Sequence, residues 1–206
     1  MTRGKLITLE GIDGAGKSTH VEGIADFLRR RGKDIAVTRE PGGTPLGEKL
    51  RELVLSQPMD VETEALLVFA ARREHIAQVI APALSAGRWV ISDRFTDATY
   101  AYQGAGRGIP AQKIAALERW VHDGLQPDLT LVFDAPVEVA LSRLAKTRTD
   151  RFEREDRGFF ERVRAEYLTR AAAYPSRMRV IQGGRPLPEV KKDVEDILNS
   201  MLNHDI

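Results

Sequence analysis

Short apolar segments alternate along the chain with longer segments of helical periodicity. Brief runs of β-branched and other apolar residues predict five buried strands. These runs lie at residues 6–9, 35–38, 89–91, 129–133 and 179–181. Apolar positions three or four residues apart predict six helices. These segments lie at residues 17–31, 63–86, 112–121, 137–144, 156–173 and 187–202.

This alternation predicts an α/β fold. Apolar strands separated by helices are typical of a parallel sheet that is covered by helices on both faces. We expect about five parallel strands in a single domain over residues 1–206, since no repeat or linker divides the chain. The Gly- and Pro-rich residues 39–47 are expected to form a loop. Ligands of such folds bind beyond the carboxyl ends of the strands.

The overall composition is that of an ordinary globular protein, with 42% hydrophobic and 30% charged residues. Lys and Arg total 31 against 30 Asp and Glu. This balance argues against a general nucleic-acid or membrane-surface binder, which needs a basic excess. The absence of cysteine excludes disulfides, cysteine zinc sites and a cysteine nucleophile. The first apolar run is too short for a signal peptide, so we expect a cytoplasmic location.

A phosphate-binding loop is predicted at residues 11–18, which fit the pattern G-x-x-x-x-G-K-S/T between a predicted strand and a predicted helix. Its glycines let several backbone amides point at one anion, and the helix N-terminus adds a positive dipole end. The alternative is a glycine-rich turn that binds no nucleotide. The candidate nucleotide-binding residues are Gly11, Ile12, Asp13, Gly14, Ala15, Gly16, Lys17 and Ser18.

Three side chains of this loop carry specific expectations. Lys17 is expected to contact the β- and γ-phosphates of ATP, and the hydroxyl of Ser18 to bind Mg²⁺. Asp13 beside the phosphates is unfavourable unless it faces an acceptor hydroxyl or a cation. The alternative for Asp13 is a solvated loop carboxylate.

A second acid and an arginine follow the third predicted strand. Asp93 at a strand end is where phosphate-loop enzymes hold magnesium or its waters. Arg94 would then contact the transferred or accepting phosphate. A surface ion pair is the alternative for these two residues.

An acceptor pocket is suggested by Phe69 and Arg73, which lie four residues apart on one predicted helix and so share a face. A ring and a guanidinium in this arrangement suit a flat heterocycle. Taken alone, Phe69 is better explained by core packing, and Arg72 with Arg73 by a solvated face. Residues 97–108 mix hydroxyls, an amide, a tyrosine ring and glycines, and suit either a nucleoside site or a polar loop.

Residues 38–44 (TREPGGT), 93–95 (DRF) and 101–104 (AYQG), together with the phosphate loop, resemble bacterial thymidylate kinases. The resemblance extends from about residue 6 to about residue 174. It implies a P-loop NTPase fold and a magnesium- and ATP-dependent conversion of dTMP to dTDP for dTTP synthesis. It also implies a homodimer, for which the helix at 63–86 could supply a face.

The resemblance further implies roles for individual residues. Phe69 would stack on the thymine, and Arg73 would donate to its carbonyl edge. The other implied contacts to dTMP are Arg39 and Arg94 with the phosphate, Thr99 and Gln103 with the base, Tyr102 with the sugar, and Asp13 with the 3′-hydroxyl. Ala98 stands where many members carry Ser or Asn.

A short arginine-bearing lid is expected at about residues 145–156. Residues 143–157 hold six basic and four acidic side chains, which alone would suit a solvated surface. Gly14 occupies a loop position where one class of thymidylate kinases carries an arginine. The chain resembles the other class, in which lid arginines supply charge to the transferred phosphoryl group. Arg148 and Arg151 are the candidates.

Two rival functions stay open from the sequence. One is the same chemistry on another nucleoside monophosphate or on a deoxynucleoside. The other is a P-loop nucleotide switch or an ATP-driven partner-binding protein. The sequence has neither an Asn-Lys-x-Asp guanine motif nor a Leu-Ser-Gly-Gly-Gln signature, which argues against that second class.

Overall fold

A five-stranded parallel sheet forms the centre of the protein, in a computed structural model that describes residues 2–144 and 150–203. The strands lie in the order β2-β3-β1-β4-β5. Their bounds are β1 Leu6–Glu10, β2 Ile35–Arg39, β3 Trp89–Asp93, β4 Leu129–Asp134 and β5 Met178–Gln182. All five predicted strands are therefore present, and the predicted parallel arrangement is confirmed.

Helices connect the strands. Their bounds are α1 Lys17–Arg29, α2 Pro45–Ser56, α3 Val61–His75, α4 Ala81–Ser85, α5 Thr96–Thr99, α6 Ala111–His122, α7 Val137–Leu144, α8 Arg157–Ala173 and α9 Leu187–Asn203. Two π-helical segments, Ile76–Ile80 and Tyr100–Gly106, continue α3 and α5. Within the described ranges, the search for a helix with the length and apolarity needed to cross a membrane finds none.

Side chains on β1 alternate between the two faces of the sheet, as strand geometry requires. Ile7 and Leu9 pack in one cluster with Ile24 of α1. Leu6 packs on the other side with Ile80, at the end of the first π-helical segment. Helices therefore cover both faces, which explains why the strands are continuous apolar runs.

Two helical regions were not predicted. Helix α2 begins where the Gly- and Pro-rich pattern predicts a loop. Pro45 occupies the first helical turn, where its missing N–H costs nothing, and the Thr44 hydroxyl caps the helix by accepting from the Gly47 N–H at 2.9 Å. Residues 96–106, which suited a polar loop, are also helical.

The strand register determines what meets at the carboxyl edge of the sheet. Leu9 of β1 lies beside Asp93 of β3, and Arg39 of β2 lies on the other side of Asp93. The loop that leaves β1 and the residues that follow β3 therefore emerge next to each other, at the edge where ligands of parallel sheets bind.

Candidate active site

The phosphate loop connects β1 to α1 through a backbone that requires glycine. Gly11, Gly14 and Gly16 have φ angles of 132°, 79° and 104°, in the region that L-residues rarely adopt. A Cβ atom on Gly14 would lie 2.3 Å from the carbonyl oxygen of Ala140. The eight predicted nucleotide-binding residues therefore form one tight loop at the start of α1.

Lys17 is buried beneath this loop. Its Nζ donates to the carbonyl oxygens of Gly11 at 2.9 Å and Ile12 at 3.1 Å. Burial, followed by the positive charge of Arg94, lowers the pKa of Lys17 to about 8. Its ammonium group is thus poorly solvated and close to the loop that the sequence predicts to hold phosphates.

Ser18 and Asp93 meet at the mouth of the loop. The Ser18 hydroxyl donates to Asp93 Oδ2 at 3.3 Å. Asp93 Oδ1 is buried, and no described residue gives it a hydrogen bond. A hydroxyl and a carboxylate oxygen without a donor are hard oxygen ligands of the kind that Mg²⁺ prefers, so these two residues fit a magnesium site.

Asp13, Arg94 and Tyr102 form a closed hydrogen-bonded triangle. Arg94 Nη2 donates to Asp13 Oδ1 at 2.6 Å and to the Tyr102 hydroxyl at 2.9 Å. The Tyr102 hydroxyl in turn donates to Asp13 Oδ2 at 2.8 Å. Burial alone would raise the pKa of Asp13, but the charges of Arg94 and Lys17 lower it to about 2. Asp13 is therefore ionised at neutral pH and paired with a protonated arginine.

Arg94 is also held from behind by two residues that the sequence did not single out. Its Nη1 donates at 3.0 Å to the hydroxyl of Tyr167, which donates at 2.8 Å to the buried carboxylate of Glu10. Glu10 also accepts from the N–H of Phe95 at 2.8 Å. Burial, reinforced by the charge of Asp97, raises the pKa of Glu10 to about 7. Glu10 could have been noticed in the sequence, because it is a glutamate in a mostly apolar strand.

A cavity opens beside the Asp13–Arg94–Tyr102 triangle. Predicted site residues in its walls are Asp13, Arg94, Thr99, Tyr102 and Gln103. Its walls also contain Arg51, Val68, Arg72, Ala98 and Phe152. The structure thus brings five predicted residues together around one space.

Phe69 and Arg73, which the sequence places in the acceptor pocket, do not line this cavity. Phe69 is only 2% exposed and packs in the core near His122. Arg73 donates to the carbonyl oxygen of Val121 at 3.2 Å, and both residues border a separate groove between α3 and α6. A helix turns about 100° per residue, so the pair one position earlier, Val68 and Arg72, faces the cavity instead.

Arg72 is rigidly held within the cavity wall. Its Nε donates to Glu40 at 2.7 Å, and its Nη2 donates at 3.1 Å both to the Phe95 carbonyl and to the Thr99 hydroxyl. Its buried Nη1 has no hydrogen-bond partner within residues 2–144 and 150–203. One guanidinium donor is therefore left for an acceptor that the described residues do not supply.

Arg39 lies outside the cavity wall. Its side chain is 56% exposed and pairs with Glu48 at 2.9 Å. Arg51 of α2 lines the cavity instead, and its Nη1 donates to the carbonyl oxygen of Pro41 at 2.9 Å. Arg51 was not predicted as a site residue because α2 was not predicted, although Leu46, Leu50 and Val54 have helical spacing.

The sequence predicts two lid arginines, Arg148 and Arg151. Arg148 lies outside the described residues. Arg151 donates from Nε to the carbonyl oxygen of Val54 at 2.6 Å and pairs with Glu64, both on the acceptor side of the cavity. Its neighbour Phe152 is buried, with its ring edge-on to Tyr102 at 5.9 Å between centroids.

Known proteins are similar to this chain over nearly its whole length. A family model described as thymidylate kinase matches residues 9–194. A thymidylate kinase of Methylobacillus flagellatus is 63% identical over 197 residues, covering 95% of this chain and 97% of the relative. That of Cupriavidus metallidurans is 62% identical over 200 residues, covering 97% and 100%.

A solved structure is also similar to this chain. The crystal structure of a thymidylate kinase from Ehrlichia chaffeensis matches with a TM-score of 0.79 and 35% sequence identity. The match covers 96% of this chain and 99% of that chain.

The pKa of Lys17 predicts a pH dependence of triphosphate binding. Its amino group is mostly charged below pH 8 and mostly neutral above it. Affinity for a non-hydrolysable nucleoside triphosphate should therefore fall about tenfold from pH 7 to pH 9. Calorimetric titration measures this, with Lys17→Arg as the control whose charge persists across the range. Constant wild-type affinity over these pH values would contradict the assignment of Lys17 as a charged contact of the triphosphate.

Proposed function

Because the chain belongs to the thymidylate kinase family and phosphorylates dTMP, we propose that the cavity binds dTMP and that the adjacent phosphate loop binds the ATP. One observation carries this proposal. Asp13 of the phosphate loop is hydrogen-bonded to Arg94 and Tyr102 of the cavity wall. The donor and acceptor sites therefore share a boundary, as direct phosphoryl transfer requires.

The base of dTMP is recognised by α3. Val68 provides an apolar surface for one side of the ring, and Arg72 donates from Nη1 to a carbonyl on the base edge. This assignment is supported by the unpartnered Nη1 of Arg72 and replaces the roles expected for Phe69 and Arg73. Thr99 and Gln103, which also line the cavity, complete the polar contacts.

The phosphate end of dTMP lies toward the loop. Arg94 and Arg51 bind the acceptor phosphate, since both cations line the cavity and arginine grips phosphate through paired donors. Arg39 assists from outside the wall. Tyr102 packs against the sugar, and Asp13 accepts from its 3′-hydroxyl.

Thymidylate kinases use ATP, typically with magnesium, and this chain has residues that fit the ion. Ser18 and Asp93 would hold it, because their oxygens meet beside the loop and Asp93 Oδ1 receives no hydrogen bond from the described residues. When held there, the ion would supply positive charge that offsets the negative charge of the β- and γ-phosphates.

The chain's own residues position the reactants and stabilise charge. Lys17 contacts the β- and γ-phosphates, and Arg94 orients the attacking phosphate oxygen. Arg148 is the candidate for charge stabilisation on the transferred group, which is worth about 10³–10⁵ in rate in related systems. Phe152 and its lid neighbours exclude water, which prevents transfer to water. No covalent intermediate forms.

We also propose that the protein is a homodimer through α3 and α6. Large apolar side chains on these helices are exposed: Trp120 is 80% and Leu66 54% exposed. Both border the groove that also contains Phe69 and Leu117. Exposed tryptophan in an apolar patch is typical of an interface. A cytoplasmic location, with no nucleic-acid or membrane partner, stays a prediction.

Substitution of the two neighbouring arginines tests the acceptor assignment. In a coupled assay of ADP release, Arg72→Lys should raise KM for dTMP at least about tenfold, because a hydrogen bond from a charged group is lost. KM for ATP should change less than about twofold. The matched control, Arg73→Lys, should alter neither constant, and the wild type should prefer dTMP to dCMP, in which an amino group replaces the 4-carbonyl of the base. A larger effect of Arg73→Lys would overturn the assignment.

Charge placed in the exposed patch tests the dimer. Trp120→Asp should halve the mass found by sedimentation equilibrium, because it buries a carboxylate among apolar side chains. Leu187→Asp places the same charge at a 54% exposed leucine of α9 and should leave the mass unchanged. A monomeric wild type would contradict the proposal.

A further inference from the structure

Glu64 of α3 is a fully buried carboxylate, with 0% of the residue exposed. It precedes Val68 and Arg72 by one and two turns, so all three side chains share the helix face that meets the acceptor cavity. A buried carboxylate is unfavourable unless charged or hydrogen-bonding partners surround it. The identity of those partners indicates what Glu64 does.

The two oxygens of Glu64 bind different parts of the molecule. Oε1 accepts from Gln103 Nε2 at 2.7 Å, and Gln103 lines the acceptor cavity. Oε2 pairs with Arg151 and lies 3.7 Å from Arg107 Nε. One carboxylate therefore contacts both the cavity wall and the lid segment.

The hydrogen bond to Gln103 fixes the orientation of its amide. An amide has donors on one side and an acceptor on the other. With Nε2 directed to Glu64, the carbonyl oxygen is left to accept from a ligand. In the proposed complex with dTMP, such an acceptor suits the N–H of the thymine ring.

The pairing with Arg151 fastens the lid segment to the acceptor side. Arg151 also donates to the Val54 carbonyl of α2 at 2.6 Å. Its neighbour Phe152 lines the cavity. Arg107 adds a second attachment, because its Nη1 pairs with Glu155 of the lid segment at 2.6 Å. The described part of the lid segment, residues 150–156, is therefore held beside the acceptor cavity by contacts of Arg151 with Glu64 and of Glu155 with Arg107.

From this geometry we propose that Glu64 is a positioning residue for dTMP binding, acting through Gln103 and Arg151. Glu64 orients the amide that reads the base, and it receives the arginine that holds Phe152 over the cavity. Arg151 then acts as the fastening of the lid, in place of the catalytic charge that the sequence suggested for it. The inference rests on the proposed dTMP site.

A double-mutant cycle tests this proposal. Glu64→Gln and Arg151→Lys should each raise KM for dTMP about tenfold, which corresponds to loss of a charge-assisted hydrogen bond. KM for ATP and kcat at saturating dTMP should change less than about threefold. The KM for dTMP of the double variant should be no higher than that of the more impaired single variant, because both substitutions remove the same contact between Glu64 and Arg151. Glu62→Gln, an exposed glutamate on the same helix, is the matched control and should behave as the wild type.

The other outcomes are distinct. A fall in kcat of Arg151→Lys by about 10³ with unchanged KM would make Arg151 catalytic and overturn the proposal. Independent effects that multiply in the double variant would also overturn it, as would lower Tm values with unchanged kinetic constants. A wild type without preference for dTMP would instead overturn the proposed function of the cavity, whatever the variants do.

Discussion

The active site depends on the ion pair between Asp13 and Arg94. Parallel pairing of β1 with β3 brings the phosphate loop beside Arg94, and the 2.6 Å contact joins the donor loop to the acceptor cavity. The pair is largely shielded from water, so loss of either partner would leave an uncompensated charge. Burial, together with the charge of the same arginine, lowers the pKa of Lys17. Tyr167 and Glu10 hold Arg94 from the opposite side.

The net charge of the chain is only +1. Its active site nevertheless contains arginines that are paired with carboxylates of the same chain. Arg72 pairs with Glu40, and Arg94 with Asp13. These pairs fix the guanidinium groups before substrate arrives, which reduces the cost of ordering them on binding. Arg72 nevertheless keeps its Nη1 without a hydrogen-bond partner among the residues that the structure describes. Preorganised donors of this kind are what positioning and charge stabilisation require in phosphoryl transfer.

The sequence was most informative where chemistry is encoded locally. The phosphate loop and the Asp93–Arg94 pair each follow an apolar strand, so their meeting at one edge followed from the fold class. The face of α3 that meets the cavity could not be predicted in this way, because residues 65–71 are all apolar and present no single stripe. The packing of α3 against its neighbours places Phe69 in the core and Arg72 in the cavity wall. The contact of Glu64 with Arg151 joins residues 87 positions apart and has no local signal.

A crystal structure of the complex with dTMP would show where the nucleotide binds. We expect the base against Val68, with a base carbonyl within hydrogen-bond distance of Arg72 Nη1, and the nucleotide's phosphate on Arg94 and Arg51. A base bound instead between Phe69 and Arg73, in the groove between α3 and α6, would contradict it.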